Sequence, residues 1–132
     1  MIGLDTNIIV RYLTQDDSIL SPKATRLIET RLSPDVPGYV GLVTMAETVW
    51  VLDRVYAFSG VEIAGAIESI LSANFLVVEH KQQVYSATVM LRESGADFAD
   101  GLIGVLALHA GCSHVLTFDK RACRLPGFRL LT

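Results

Sequence analysis

The sequence predicts an α/β fold, with a short parallel central sheet flanked by helices on both faces. Three observations carry that expectation. Short β-branched, apolar runs alternate with longer segments of helical periodicity, the order that builds a parallel sheet covered by helices. The 132 residues suffice for a sizeable core and point to one domain over 1–132. Hydrophobic residues make up 51% of the chain and mean hydropathy is +0.43, yet no apolar run is long enough to cross a bilayer, so no membrane association is expected.

Taken in order, Ile2 to Leu4 suits a short buried strand. Ile8, Ile9, Tyr12 and Leu13 follow at helical spacing. Gln15-Asp16-Asp17-Ser18 is a loop, with both acids facing solvent. Ser21-Pro22 starts the next helix, Ser as N-cap and Pro at the first helical position. Its apolar stripe is Ala24, Leu27, Ile28 and Leu32. Residues 33–38 are turn-rich, and Tyr39 to Leu42 suit a second strand. Thr44 and Glu47 have capping-box spacing and begin a helix continued by Val49, Trp50, Leu52, Val55 and Tyr56. Trp50 sits there at core spacing.

Ser59-Gly60 breaks that helix, and Ile63 to Leu71 form another, with Ile63, Ile67, Ile70 and Leu71 on one side. Asn74 to Glu79 is a third strand, and Lys81 to Glu93 a helix closed by Ser94-Gly95. Asp97-Phe98-Ala99-Asp100 opens a helix running to about Ala110, which Gly111 stops. Gly101 and Gly104 inside it each cost about 1 kcal/mol relative to Ala, and both permit close packing. Val115 to Phe118 is a fourth strand ending at Asp119, and Phe128 to Leu131 a fifth.

Net charge is −3, which argues weakly against a general nucleic-acid binder. Lys120, Arg121, Arg124 and Arg129 nevertheless crowd the C-terminal end, leaving either a local basic patch or an ordinary solvated surface. Cys112 and Cys123 match no metal or redox spacing and suit a reducing, cytoplasmic setting. The first residues lack a basic region followed by an apolar block, so no secretory leader is expected.

Four carboxylates fall at informative places. Asp5 and Asp119 end strands, where ligands bind in open α/β sheets. Glu47 and Asp100 fall in the first turns of helices, so all four could face one crevice. Each alone also has a local explanation. Asp5 can cap a helix, and Glu47 can complete a capping box with Thr44. Asp100 can pair with Asp97 as cap, and Asp119 can shape a turn before Lys120. Together they are harder to explain locally, because carboxylates about 5 Å apart repel by roughly 3 kcal/mol per pair at an effective dielectric near 20. A divalent cation would offset that repulsion. Oxygen donors without His or Cys favour Mg²⁺ or Mn²⁺, the equipment for metal-assisted phosphodiester hydrolysis. His80, His109 and His114 lie in no ligand pattern, and the glycines form no phosphate-binding loop.

Leu4-Asp5-Thr6-Asn7, Thr44-x-x-Glu47, Asp97-Phe98-Ala99-Asp100-Gly101-Leu102-Ile103 and Leu116-Thr117-Phe118-Asp119 together resemble the PIN-domain family over nearly the whole chain. More narrowly, the chain resembles the VapC-like toxin ribonucleases of VapBC-type toxin–antitoxin pairs. The resemblance implies a PIN-like (Rossmann-like) fold and Mg²⁺- or Mn²⁺-dependent endoribonuclease activity. It implies Asp5, Glu47 and Asp100 as the core acids and metal ligands, with Asp119 as the fourth. Thr6, Asn7 and Thr117 match supporting polar residues. Of the pair three apart, Asp100 is the favoured ligand and Asp97 the N-cap. Lys120, Arg121 and Arg124 are candidate RNA contacts. A homodimer and a small antitoxin protein that covers the crevice are also implied. The competing reading is a non-catalytic PIN-like module that binds RNA or protein. A phospho-accepting receiver domain fits poorly, since Asp5 stands without an acidic neighbour and the third strand ends in Glu79.

Overall fold

Parallel strands alternate with helices along the chain, as the sequence predicts. The computed structural model describes all of residues 1–132. Two compact units are present, Met1–Lys81 and Gln82–Thr132. No helix is long and apolar enough to cross a membrane.

In the first unit, β1 (Ile2–Gly3), β2 (Gly38–Val40) and β3 (Leu76–Val78) form a parallel sheet with β2 in the centre. Ile2 lies opposite Gly38, and Gly38 opposite Leu76. Gly38 makes room there, because a Cβ would press on the ends of the Leu4, Leu32 and Leu76 side chains at 2.8, 2.9 and 3.0 Å. The strands are short, and β1 is less buried than its composition suggests. Ile2 is exposed at the sheet edge, and burial begins at Leu4.

Four helices complete this unit: α1 (Thr6–Thr14), α2 (Leu20–Arg26), α3 (Leu42–Arg54) and α4 (Gly60–Ser72). A π-helical turn, Leu27–Arg31, extends α2. Ile9, Ile28, Met45, Leu52 and Ile67 are fully buried and form its core. The expected stripe on α4 is borne out, since Ile63, Ile67, Ile70 and Leu71 are all buried.

Three local expectations are corrected. Ser21 does not cap α2. The helix starts at Leu20, and the Asp17 carboxylate accepts the N–H groups of Ile19 and Leu20 at 2.9 and 2.7 Å. Ser21 is instead buried, its hydroxyl donating to the Arg11 carbonyl at 2.8 Å. Thr44 and Glu47 form no capping box, because α3 begins at Leu42 after Gly41. The Leu42 N–H donates to Glu79 Oε1 at 2.8 Å, so a carboxylate just past β3 caps the helix from across the sheet. Trp50 is not core. It is 57% exposed, and Met45, Thr48, Val49 and Leu52 make the buried face of α3. A capping box does occur at α4, where Ser59 and Glu62 exchange bonds of 3.1 and 2.9 Å.

The second unit holds most of α5 (Lys81–Ser94), then α6 (Phe98–His109), β4 (Val115–Thr117), a 3₁₀ turn (Ala122–Arg124) and β5 (Phe128–Leu130). β4 and β5 pair in parallel, with Val115 opposite Phe128. Ala122, Leu125 and Phe128 form a small core with Met90, Ala96 and Val115 packed on it. Gly104 serves close packing as expected, since a Cβ there would lie 2.8 Å from the Phe128 ring, but one on Gly101 would meet Met90 and Ala87 at ordinary contact distances of 3.5 and 3.6 Å. Gly111 stops α6 at φ +97°. Both cysteines are free.

Candidate active site

In the first unit the site is built where β1 gives way to α1. The Leu4 N–H donates to the Tyr39 carbonyl at 2.9 Å, which fixes the end of the strand. Asp5 then leaves the sheet in extended conformation and caps α1. Its Oδ1 accepts the Thr6 N–H at 2.7 Å. Thr6 is buried, and its hydroxyl donates across the fold to Glu47 Oε1. That bond joins the start of α1 to the second turn of α3. Glu47 is therefore held by a tertiary contact, not by the local cap its spacing suggested. Asp5, Thr6, Asn7 and Glu47 line one open cleft of about 360 Å³.

Arg11 and Tyr56 line the same cleft, and no motif in the sequence singles them out. Arg11 lies one helical turn beyond Asn7, so their shared face was the available signal. Its Nη1 donates to both Asp16 oxygens at 3.0 and 3.2 Å, and contacts the Tyr56 hydroxyl at 3.4 Å. Tyr56 in turn donates to Asp16 Oδ2 at 2.6 Å. Asp16 thus faces solvent as expected but is fully engaged. Hydrogen bonds from Tyr56 and Thr14, with Arg11 beside them, hold its pKa down at about 2.

In the second unit the acids gather at the start of α6 and the end of β4. Asp97 caps α6, its Oδ1 accepting the Asp100 N–H at 3.0 Å. Asp119 follows β4, its N–H donating to Thr117 Oγ1 at 3.0 Å. Its own Oδ1 accepts the Arg121 N–H at 2.8 Å. Burial raises the pKa of Asp100, and the charges of Asp97 and Asp119 raise it further. Lys120, Arg121 and Arg124 follow on the next segment, and all three are exposed.

The family model of the PIN domain matches residues 2–127. The chain belongs to the PIN-domain family. No curated relative matches the chain. PIN domains generally act as nucleases, typically with divalent metal ions. The α/β architecture is accordingly PIN-like and Rossmann-like. In this PIN domain no group of three or more His, Cys, Asp or Glu side chains is arranged to enclose a metal ion. The donor chemistry nonetheless fits a hard cation. Mg²⁺ keeps several waters and needs only one or two carboxylates from the protein. Asp100, disfavoured in its charged form by burial and then by its acidic neighbours, is the kind of group such an ion relieves.

Proposed function

We propose that this PIN domain is a divalent-metal-dependent endoribonuclease that hydrolyses RNA phosphodiester bonds, acting as the toxin of a type II toxin–antitoxin pair. The observation that carries the reading is the Thr6–Glu47 hydrogen bond beside Asp5. It brings two motifs 41 residues apart in sequence into one cleft, with carboxylate oxygens on its wall. Asp5, Glu47, Asp100 and Asp119 are the proposed acids and Mg²⁺ or Mn²⁺ ligands. Asp100 is preferred to Asp97, whose carboxylate already caps α6.

When bound, the ion supplies an activated water and steadies the leaving oxygen. The chain's residues position that chemistry. Thr6 orients Glu47, Asn7 presents an amide on the same cleft, and Thr117 holds the backbone of Asp119. Lys120, Arg121 and Arg124 are the proposed phosphate contacts. A cytoplasmic homodimer, with a small antitoxin protein covering the acids, goes with the resemblance to VapC-like toxins.

The test is cleavage of single-stranded RNA by the isolated chain. Cleavage should require Mg²⁺ or Mn²⁺, stop on chelation, and fall at least about a hundredfold in Asp5→Asn with unchanged circular dichroism. Full activity in Asp5→Asn would refute the site. Metal and RNA binding without cleavage would mark a non-catalytic module instead. Growth arrest on expression, relieved by a co-expressed neighbouring small protein, tests the toxin role.

A further inference from the structure

We propose that Arg11 receives a phosphate of the RNA strand in the cleft of Asp5 and Glu47, held ready for it by Asp16 and Tyr56. The proposal rests on the ribonuclease reading of that cleft. Two carboxylates repel a polyanion, and the chain as a whole carries net charge −3. Beyond a metal ion on the acids, a strand that enters needs a cation of the chain itself to hold its phosphates. Among the residues lining the cleft, Arg11 is the one cation.

Its geometry suits the task. Arg11 does not neutralise Asp5 or Glu47. Its ion pair is with Asp16, at 3.0 Å. All its bonds to Asp16 and Tyr56 run through Nη1, so the rest of the fork stands outside them. A guanidinium has five N–H donors in a planar fork that matches two phosphate oxygens. The side chain is 33% exposed, accessible yet fixed. Asp16 is itself braced by Thr14 at 2.8 Å and Tyr56 at 2.6 Å. The rotamer freedom of a long side chain is therefore lost on folding, before any ligand arrives. Arg11 would touch substrate, whereas Asp16 and Tyr56 are positioning residues.

The experiment measures steady-state cleavage of mixed-sequence single-stranded RNA, and RNA binding against salt in chelator, on the intact chain. In Arg11→Ala, KM should rise about tenfold, the scale of a lost charge-assisted hydrogen bond, with kcat nearly unchanged. The salt slope of binding should shrink by about 0.7, one phosphate contact on a single strand. Asp16→Asn keeps the cation but loosens its hold, so KM should rise less and the slope should stay. If Arg11→Ala does not fold, Arg11→Lys decides: a raised KM with unchanged slope supports the role, and a wild-type KM overturns it. Wild-type KM and slope in folded Arg11→Ala would overturn the inference, leaving Arg11 a strut between α1 and Tyr56. Asp5→Asn, run alongside, separates the two readings. If it is inactive, such a result sinks only the role of Arg11; if it is active, the ribonuclease assignment fails first.

Discussion

Asp100 shows how a carboxylate proposed as a metal ligand burdens the fold that carries it. Its folded pKa lies above the ordinary 3.8, first through burial and then through Asp97 and Asp119. Between 3.8 and the raised value the folded chain binds more protons than the unfolded chain. Stability therefore falls as pH rises through that window, and the deficit is complete above it. Asp100→Asn should melt at a higher temperature than the parent at neutral pH in low salt without divalent ions. The gain should close below pH 3.8. A thermal melt series against pH checks this, and a gain that persists in acid would contradict it. Asp16 has the opposite sign. Its folded pKa of about 2 contributes stability that is present above 3.8 and lost as pH falls towards 2. Its hold on Arg11 should thus persist across the working pH range. The sequence exposed the acids but not these differences, because the strongest partner of Asp16, Tyr56, lies 40 residues away.

At the scale of elements, the sequence located nearly every helix and strand, and it erred where a distant group replaced a local one. Ser21-Pro22 and Thr44-x-x-Glu47 both have the spacing of helix starts. The real starts lie a little earlier in the chain, where Asp17 and Glu79 accept the free N–H groups. Glu79 reaches α3 from beyond β3, a contact no local pattern encodes. Trp50 was misplaced for a different reason: its neighbour Val49, with Met45, Thr48 and Leu52, takes the buried face of α3. Glycine positions were legible in type and differ in consequence. A Cβ on Gly65 would meet nothing within 4 Å, so Gly65→Ala should stabilise the chain by about 1 kcal/mol through helix propensity. Gly104→Ala gains the same propensity but drives a methyl to 2.8 Å from the buried Phe128 ring. It should destabilise by about 1–2 kcal/mol net. Urea titrations of the two variants should move the midpoint in opposite directions.

Over the whole molecule, the family match spans both compact units, and each carries acids from the family-like motifs. Asp5 and Glu47 belong to the first, Asp100 and Asp119 to the second. The order of motifs along the chain made the family legible. The cleft's own cation was not, since Arg11 carries no motif and net charge says nothing of where a cation stands. The exposure of Trp50 has a practical outcome. It is the only indole in the chain, and more than half of it meets water. Its intrinsic fluorescence should therefore barely redden on denaturation. It should shift to the blue when another protein covers the outer side of α3, giving a label-free optical signal for association on that helix.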